Sequence, residues 1–363
     1  MRILVVNAGS SSLKLRVLGD GDAVVARVDL GSPDELDTDG LRSAVEGLGH
    51  FEAVGHRFVH GGTAVTGPAR LDDATRRNLE ALVPLAPLHQ AAALRTADLV
   101  ARLTPEVPAV ACVDTAFHAH LPPEAATYAV PGEWRDRLGL RRYGFHGLSH
   151  AYAARRAHEM AGTPGARLRV VTCHLGAGAS LAAVHGDRSV DTTMGFTPLE
   201  GLVMATRSGS VDPGALLWLQ TEHGLAAEDL RDALEHHSGL TALAGTGDVG
   251  TISARADEGH PDAGLALDVY VHRLRAGVAA MAAALGGLDA LVFTGGVGEN
   301  AGVVRRRTAD GLRLLGVAVD PALDAGATPD AEVTAAASSV RVLVVAARED
   351  VEIARGVRQV LGA

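Results

Sequence analysis

The sequence predicts an α/β protein built from two similar halves, and three observations support this. Short apolar runs of the buried-strand type alternate with segments of helical period, which is typical of α/β architecture with largely parallel sheets. Residues 3–20 and 170–187 form a weak internal repeat, in which each copy has a buried strand, a turn of small residues, an alternating strand and a Gly-Asp turn. The length of 363 residues is enough for about two domains.

The predicted strands and helices follow in chain order. Strands are predicted at 3–6, 53–59, 109–113, 169–173, 290–294 and 340–345. Helices are predicted at 73–83, 89–102, 149–159, 213–223, 227–238, 262–285, 303–315 and 350–361. A break with Gly and Pro at 162–165 separates a helix from a strand, so a second domain is expected from near residue 148. We therefore assign residues 1–147, joined by the C-terminal helix 350–363, to one domain and residues 148–349 to the other.

Composition excludes several classes of protein. There are 33 basic and 43 acidic residues, and the net charge of −10 leaves no basic surface for general nucleic-acid binding. The two cysteines, Cys112 and Cys173, are too few for a disulfide framework or a four-cysteine zinc site. The N-terminal apolar run is too short for a signal peptide, and the least charged stretch, 276–288, is too short to span a bilayer. We therefore expect a cytoplasmic enzyme.

The first segment that suggests chemistry is NAGSSSLK at 7–14. Its glycine and serines let backbone N–H groups approach phosphate oxygens, and Ser10, Ser12 and Lys14 add donors and charge. Lys14 is the only lysine among the 33 basic residues, which indicates either a site that needs a compact ammonium group or the chance survival of one lysine in an arginine-rich composition. Asn7, at the end of a strand, is a candidate for holding a metal ion or its water. A plain Ser-rich β-turn is the alternative interpretation.

Two further strand ends carry charged residues. Arg57, in HRFVHGG at 56–62, lies at the carboxyl end of a strand, where α/β proteins bind ligands. The His-x3-His spacing there is a poor zinc motif, because two glycines follow it and an arginine stands where a metalloprotease needs glutamate. Asp114, in VDTAFH at 113–118, follows the next buried strand. It either orients a metal-bound phosphate or a nucleophile, or only caps a helix.

Two longer segments combine glycine with charged or aromatic residues. RRYGFHGLSH at 141–150 presents Phe145 and His146 between two glycines, which implies a constrained backbone, although a purely structural histidine is the alternative. The irregular run from 191 to 213 carries one positive charge, Arg207. Long loops of this kind are often functional.

Two glycine-rich turns lie in the second half of the chain. HLGAGAS at 174–180 is a second turn of the phosphate-binding type. FTGGVGEN at 293–300 reads as a strand, a Gly-rich turn and a helix, which can accommodate a nucleotide but is a weak signal by itself.

In this order the segments resemble the acetate kinase family, the acetate and propionate kinases of the actin, hexokinase and sugar-kinase superfamily. Further matching stretches are PLH at 87–89, SVDTTMGFTPLEGLVMATRSGSVDP at 189–213 and, near the end, ED at 349–350 with IAR at 353–355. The resemblance implies two duplicated actin-like (ribonuclease H-like) domains with mixed central sheets and a cleft between them. It also implies a homodimer that reversibly transfers the ATP γ-phosphoryl group, with Mg²⁺ or Mn²⁺, to acetate or another short-chain carboxylate. No nucleic acid or membrane is expected as a partner.

The resemblance also implies roles for individual residues. Asp114, His146 and Arg207 match the catalytic residues, the last two as stabilisers of the transition state. Arg57 matches the arginine that binds the carboxylate, and Val59, Leu88, Phe145 and Pro198 match the pocket for the acyl tail. Asn7 and Glu349 match the metal environment. The phosphate and nucleotide contacts correspond to Ser10, Ser12, Lys14, His89, His174, Gly176, Gly178, Asp248, Gly296, Val297, Gly298, Glu299 and Asn300.

The chemistry of the expected reaction agrees with these residue types. A carboxylate acceptor is ionised at neutral pH and needs no general base, so Asp114 is assigned to positioning. Phosphoryl transfer leaves little covalent work for the protein, and catalysis is mostly positioning and charge stabilisation. Arg57 offers the planar fork that matches a carboxylate.

Four positions depart from the pattern of the family. Ala177 replaces an amide side chain in the second phosphate turn, and Gly250 stands where an adenosine-contacting arginine is expected. Ser210 replaces an acidic residue near Arg207, and Arg348 replaces an asparagine. The phosphoryl-transfer core is therefore retained, whereas the adenosine side is eroded.

Three alternatives stay open on the sequence. The first is an actin-like nucleotide-binding protein with weak or altered use of a phosphoryl donor. The second is a kinase with another donor or a longer acyl chain, and the third is a metallohydrolase built on the histidines.

Overall fold

A computed structural model gives the fold of residues 1–9, 12–32, 38–162 and 167–362, with their side chains except those at 87 and 88. The chain forms two units. The first comprises Met1–Ala119, Phe145–Tyr152 and Arg348–Ala363, and the second comprises His120–Gly144 and Ala153–Ala347. The domain bounds given above from the sequence remain a prediction.

The first unit is built on a mixed sheet. Its strands among the described residues are β1 (Ile3–Ala8), β2 (Leu13–Leu18), β3 (Val24–Leu30), β4 (Ala53–Phe58), β5 (Ala69–Arg70) and β6 (Ala109–Val113), in the order β3-β2-β1-β4-β6-β5. The pairs β1–β2, β2–β3 and β5–β6 are antiparallel. The pairs β1–β4 and β4–β6 are parallel. Strands β1 and β4 are almost entirely buried, as expected for the centre of a sheet that is covered on both faces.

The second unit repeats this topology. Its strands among the described residues are β7 (Arg169–Leu175), β8 (Ala179–His185), β9 (Arg188–Thr192), β10 (Ala290–Thr294), β11 (Ala331–Glu332) and β12 (Arg341–Val344), in the order β9-β8-β7-β10-β12-β11. As in the first unit, the initial hairpins are antiparallel, the next two pairs are parallel, and a short antiparallel strand forms the far edge. The duplication predicted from the internal repeat is therefore confirmed.

The helices of the described residues complete the two units. In chain order they are α1 (Thr38–Gly47), α2 (Asp73–Glu80), α3 (Pro87–Leu103), α4 (Pro123–Ala126), α5 (Gly132–Leu138), α6 (Gly147–Met160), α7 (Pro213–His223), α8 (Ala227–His236), α9 (Gly239–Ala244), α10 (Val249–Asp257), α11 (Pro261–Ala284), α12 (Gly295–Asn300), α13 (Gly302–Asp310), α14 (Pro321–Ala325) and α15 (Glu349–Leu361). Short 3-10 helices cover Asp20–Asp22, Val83–Leu85, Asp114–His118 and Arg313–Leu315. None of the helices in the described ranges is long and apolar enough to cross a membrane.

The C-terminal helix α15 lies directly on the first sheet. A Cβ at Gly55 of β4 would lie only 2.5 Å from Cγ2 of Ile353, so glycine at this position lets the helix approach the strand. Ile353, Ala354 and Val357 of α15 are fully buried. This packing brings the start of α15, at Glu349, into the first unit.

The structure confirms the α/β class and corrects one part of the prediction. The six predicted strands are present, and two of them, at 109–113 and 290–294, have the predicted bounds. The expectation of largely parallel sheets is wrong, because three of the five strand pairs in each sheet are antiparallel. Short turns explain the two hairpins at the start of each sheet, since a short turn can join only antiparallel neighbours.

Candidate active site

Three parallel strands of the first sheet, β1, β4 and β6, place polar side chains at one edge. Asn7 lies near the end of β1, Arg57 near the end of β4, and Asp114 directly after β6. Glu349, the first residue of α15, is the fourth member. Hydrogen bonds join the four side chains in a row from Glu349 through Asn7 and Arg57 to Asp114. The row occupies the edge at which α/β proteins bind their ligands.

Arg57 and Asp114 form a buried ion pair. Nε of Arg57 lies 3.2 Å from both carboxylate oxygens of Asp114, and Nη2 lies 2.6 Å from Oδ2. The exposed fraction is 13% for the arginine side chain and 1% for the aspartate. Burial alone would lower the pKa of Arg57, but Asp114 and Glu349 outweigh it and raise that pKa above its usual value. Burial raises the pKa of Asp114, and the guanidinium opposes that rise.

Asn7 connects this pair to Glu349. Its Nδ2 donates to Oε2 of Glu349 at 2.7 Å, and its Oδ1 accepts from Nη1 of Arg57 at 3.2 Å. The alternative in which Asp114 only caps a helix is wrong, because the 3-10 helix Asp114–His118 starts at Asp114 itself and the carboxylate binds Arg57.

The turn between β1 and β2 lies next to Asn7. The N–H of Gly9 donates to the carbonyl of Ser12 at 2.9 Å, which closes the turn, and Ser10 lies outside the described residues. Lys14 stands directly opposite Asn7 in the β1–β2 pair and is exposed. Directly opposite residues of an antiparallel pair share a face, so the ammonium group of Lys14 is on the same side as Asn7.

His146 has an unusual backbone that two neighbours fix. Its φ of 55° is left-handed, which is uncommon for a residue other than glycine. Gly147 lies so close to the 3-10 helix Asp114–His118 that a Cβ would be 2.0 Å from the carbonyl oxygen of Asp114. Nε2 of His118 lies 3.2 Å from the carbonyl oxygen of Phe145, and since a carbonyl only accepts, that nitrogen carries the proton. The chain on both sides of His146 is thus held by the helix that starts at Asp114.

Two of the residues predicted to bind the acyl tail are buried in the first unit. Val59 is 6% exposed and Phe145 is 1% exposed. The ring of Phe145 meets His60 edge-on at 5.5 Å, and burial lowers the pKa of His60 to about 4. The side chain of Leu88 lies outside the part of the chain that the structure describes. His89, on the first turn of α3, is half-buried.

The remaining predicted catalytic residue, Arg207, belongs to the second unit. It lies on residues 193–212, all of them described, which form an irregular loop outside helices and strands. Its Nη1 donates to the carbonyl of Pro198 at 2.6 Å. Burial lowers the pKa of Arg207, with Glu235 opposing, but a guanidinium stays protonated at any physiological pH.

A pocket of about 760 Å³ opens in the second unit. Of the predicted nucleotide contacts, Gly176, Asp248, Gly296, Val297 and Asn300 line it. The departures Ala177 and Gly250 line it too, and none of its lining residues, all in the described ranges, is cationic. Asp248 caps α10 by accepting from the N–H of Thr251 at 2.7 Å, and this bond lowers its pKa. Gly247 and Val249, which flank Asp248 in the nucleotide segment, also line the pocket, and the lining residues that the sequence did not suggest are Ala205, Ser253, Ala301, Gly302 and Val303.

The β7–β8 turn forms one wall of this pocket. The N–H of Gly176 donates to the carbonyl of Gly178 at 2.9 Å, which closes the turn. The N–H of Ala205 donates to the carbonyl of Ala177 at 3.1 Å and so joins the loop of Arg207 to the turn. His174 lies in β7, one residue before the end of the strand.

Two predicted nucleotide contacts, Gly298 and Glu299, do not line the pocket but lie in α12 between residues that do. The carbonyls of Gly298 and Glu299 each accept a hydrogen bond of 2.8 Å from Nη1 of Arg305, which is 3% exposed. Arg305 in turn pairs with the buried Asp324 at 2.6 Å. Oε1 of Glu299 accepts from the N–H of Gly295 at 3.1 Å. Arg305 is thus a residue of the site that the sequence did not suggest.

The group that holds the loop of Arg207 was not predicted from the sequence. Oε2 of Glu200 accepts from the hydroxyl of Tyr128 at 2.5 Å, and Oε1 accepts from Nη2 of Arg142 at 2.9 Å. Arg142 and Glu200 stand inside motifs that were singled out, but no spacing in the sequence pairs them with each other or with Tyr128.

The donor atoms at Asn7 and Glu349 fit the divalent ion that the resemblance implies. They are amide and carboxylate oxygens, the hard ligands that Mg²⁺ prefers, and Mg²⁺ usually takes only one or two carboxylates besides water and substrate phosphate. The described residues contain no group of three or more His, Cys, Asp and Glu side chains placed to hold a metal ion.

Comparison of the sequence with known families and proteins gives consistent matches. Residues 34–355 match the model of the acetokinase family. The acetate kinase of Gloeobacter violaceus is 51% identical over 307 residues, which span 84% of this chain and 76% of that protein. The acetate kinase of Microcystis aeruginosa is 41% identical over an alignment 397 residues long, with 98% of both chains covered.

Solved structures resemble the fold over its whole length. The propionate kinase from Francisella tularensis superposes with a TM-score of 0.91 at 31% identity and 99% coverage of both chains. The Porphyromonas gingivalis acetate kinase superposes with a TM-score of 0.90 at 33% identity and 99% coverage of both chains.

Proposed function

The chain belongs to the acetokinase family and is a phosphotransferase with a carboxyl group as acceptor, and we propose that it makes acetyl phosphate by direct in-line transfer from ATP. The observation that carries this proposal is the row of hydrogen bonds from Glu349 through Asn7 and Arg57 to Asp114. This row fixes the guanidinium of Arg57 at the ligand-binding edge of the sheet and leaves some of its N–H donors unused.

The donors of Arg57 can be counted. A guanidinium has five N–H donors. Asp114 takes the one on Nε and one on Nη2, and Asn7 takes one on Nη1. One N–H on Nη1 and one on Nη2 are left, and we propose that they bind the two oxygens of the acceptor carboxylate, an arrangement that lysine cannot provide.

The transfer itself needs no general base, because the acceptor is already a carboxylate. One carboxylate oxygen attacks the γ-phosphorus, the bond from that phosphorus to the bridging oxygen breaks, and ADP leaves with the electron pair. Asp114 keeps Arg57 in place during this step. We propose that His146 and Arg207 donate to the phosphoryl oxygens as charge develops on them, the type of contribution that is usually largest in phosphoryl transfer.

Mg²⁺ fits this scheme, with Glu349 and Asn7 as the residues that hold it. When bound, it would neutralise charge on the nucleotide phosphates. Removal of divalent ions with a chelator is expected to abolish activity, and Mg²⁺ or Mn²⁺ is expected to restore it. If zinc co-purifies tightly and carries the activity instead, the alternative of a metallohydrolase gains support.

We also propose that the protein is a cytoplasmic homodimer. The apolar helix α7 supports the dimer, because Leu217 is 61% and Trp218 is 53% exposed, and apolar patches of this kind often mark protein interfaces. Both cysteines are buried free thiols, which agrees with a reducing compartment. Leu217→Asp is expected to convert a dimer to a monomer in light scattering, and Leu314→Asp, at another exposed leucine, is the control.

A hydroxylamine trap for acyl phosphates tests the reaction. The parent protein is assayed with formate, acetate, propionate and butyrate, and with ATP, GTP and pyrophosphate as donors. Arg57→Ala and Arg207→Ala are expected to lower the rate roughly 10²–10³-fold, by analogy with the loss of one oxyanion donor. Arg76→Ala is the matched control, since Arg76 is a half-exposed arginine that pairs with Asp98 and Glu80.

One alternative function has a specific observation in its favour. Ala177 and Gly250 line a pocket without cationic residues among those described, which agrees with an actin-like nucleotide-binding protein of weak donor use. Nucleotide binding without hydroxamate from any of the four carboxylates would support that alternative and refute the kinase. Equal rates for the parent and both arginine variants would refute the assigned residues.

A further inference from the structure

The loop that carries Pro198 and Arg207 is held by side chains as well as by backbone hydrogen bonds. Residues 193–212, all of them described, form an irregular segment outside helices and strands. Arg207 donates to the carbonyl of Pro198 at 2.6 Å, so the position of the guanidinium follows the position of that carbonyl. What holds the two halves of the loop therefore decides where Arg207 lies.

The second half of the loop is held by backbone hydrogen bonds. The N–H of Leu240 donates to the carbonyl of Met204 at 2.9 Å, and the N–H of Ser208 donates to the carbonyl of Leu234 at 3.1 Å. These bonds involve the main chain alone and are independent of side-chain identity.

Arg142 holds the start of the first half. Its Nη1 donates to the carbonyls of Thr193 at 3.1 Å and Met194 at 3.0 Å, and its Nη2 donates to Oε1 of Glu200 at 2.9 Å. Arg142 also lies 5.6 Å above the ring of Tyr128, within the range of a cation–π interaction. One guanidinium thus spans eight residues of the loop, from 193 to 200.

Tyr128 holds the middle of the first half through its hydroxyl. This group donates to Oε2 of Glu200 at 2.5 Å and accepts from the N–H of Phe196 at 3.0 Å. Gly195 completes the arrangement, since a Cβ there would lie 1.7 Å from Oε2 of Glu200 and 2.0 Å from the hydroxyl of Tyr128. Pro198 lies between the two residues that the hydroxyl fixes, Phe196 and Glu200.

We propose that Tyr128 is a positioning residue for phosphoryl transfer: its hydroxyl, together with Glu200, sets the place of Pro198 and, through the carbonyl of Pro198, the place of Arg207. The proposal rests on the proposed function, which gives Arg207 its role. Tyr128 does not touch the reacting atoms in this proposal. It acts through the backbone from Phe196 to Glu200.

Tyr128→Phe tests the proposal, because it removes only the hydroxyl. The kcat for acyl phosphate formation is expected to fall about tenfold, since small displacements of a catalytic group cost one to two orders of magnitude in rate. The KM for ATP should stay within about twofold, because the pocket in the second unit keeps its backbone contacts. The ratio of kcat/KM for acetate to that for butyrate should change, because Pro198 moves. A merely structural role would leave that ratio unchanged.

Tyr143→Phe is the matched control. It deletes the same group from a tyrosine of the same unit, whose hydroxyl donates to the carbonyl of Gly139 at 3.1 Å, away from Glu200. Equal kinetics for the two variants would overturn the positioning role, although the parent would still be a kinase. A parent that makes no acyl phosphate would refute the proposed function instead.

A second variant covers the case in which Tyr128→Phe unfolds. Glu200→Gln keeps the length of the side chain and one of its oxygens, but it replaces the other oxygen by an NH2 group and removes the charge that faces Arg142. We expect a smaller loss of kcat, about threefold, because hydrogen bonds to charged groups are roughly twice as strong as neutral ones. An unchanged kcat and an unchanged acetate-to-butyrate ratio in Glu200→Gln would overturn the proposal.

Discussion

A Cβ atom on Gly147 would lie 2.0 Å from the carbonyl oxygen of Asp114, so the two residues touch through their backbones. His146 precedes Gly147 with a left-handed φ of 55°. Asp114 and His146 both have predicted catalytic roles. The contact at Gly147 therefore fixes the main chain next to His146 against the main chain of Asp114.

Gly147→Ala is expected to damage both stability and activity. The added methyl overlaps the carbonyl of Asp114, a backbone atom that cannot rotate away, and overpacking of this kind costs about 1–3 kcal/mol. The shift should also displace Asp114 or His146 and lower kcat about 100-fold. Thermal unfolding and the hydroxamate assay measure the two effects.

Gly264→Ala provides the matched control for Gly147→Ala. Gly264 lies in α11, and a Cβ there would meet no atom within 4 Å. Because alanine favours helix over glycine, this variant should be more stable by about 0.5 kcal/mol and fully active. A Gly147→Ala protein with the stability and kcat of the parent would contradict the contact.

Arg57→Lys should disable the enzyme although it keeps the charge. Lysine cannot bind both oxygens of Asp114 and also reach Asn7 and the acceptor, so kcat/KM for acetate is expected to fall roughly 10²–10³-fold. The KM for ATP should change much less, since the pocket that we propose for the nucleotide belongs to the second unit. Steady-state kinetics with each substrate varied in turn separate the two parameters.

Arg76→Lys makes the same replacement at a pair of similar geometry on the surface. Nε and Nη2 of Arg76 bind the two oxygens of Asp98 at 2.9 and 2.7 Å, and both side chains are 35% exposed. Exposed pairs contribute about 0–1 kcal/mol, so stability and rate should barely change. Comparable loss of activity in both variants would show that Arg57 has no special role.

The sequence predicts the part of the site that depends on strand ends. Arg57 lies near the end of one predicted buried strand, and Asp114 directly follows another. Parallel strands end at a common edge, so the proximity of the two residues follows from the pattern. The ion pair between them does not follow, because the resemblance assigns Arg57 to the substrate carboxylate and the strand pattern suggests a metal-bound phosphate for Asp114. The orientation and the burial of the two side chains decide that pairing, and no repeating pattern in the sequence reports either property.

Other contacts cannot be predicted from local patterns because they join distant segments. Asn7 and Glu349 are 342 positions apart, and only the family resemblance suggested that they act together. Glu299 lies in the expected Gly-rich motif, yet its carboxylate accepts a hydrogen bond from the N–H of Gly295 and does not line the pocket. Tertiary packing determines which distant residues meet and which way a side chain such as that of Glu299 points.

Acid is expected to unfold the protein steeply between pH 6.5 and 4. Burial lowers the pKa of His56, His60 and His118 to about 4, against 6.5 for an unburied histidine. The unfolded chain therefore binds these protons first, so the stabilising contribution is complete above pH 6.5 and is lost as the pH falls towards 4. Each histidine adds a slope of about 1.4 kcal/mol per pH unit in this window.

Denaturant titrations at several pH values measure that slope. In His118→Gln one titrating group is missing, and the slope between pH 6 and 5 should fall by about 1.4 kcal/mol per pH unit. His120→Gln replaces an exposed ring just beyond the 3-10 helix that carries His118 and should keep the parent slope. An unchanged slope in His118→Gln would mean that this ring is not buried in its neutral form.

Arg305→Lys and Arg306→Lys compare two neighbouring arginines that share Asp324 as partner. Arg305 is buried and also donates to the carbonyls of Gly298 and Glu299 behind the pocket, whereas the side chain of Arg306 is 40% exposed. Arg305→Lys leaves these carbonyls without their donor, which should cost about 1–3 kcal/mol of stability and raise the KM for ATP about fivefold. Arg306→Lys should change stability by less than about 0.5 kcal/mol and leave both KM values as they are. Thermal unfolding and kinetics with ATP and acetate decide the matter, and a KM for ATP that rises equally in both variants would assign the effect to Asp324 instead of the pocket wall.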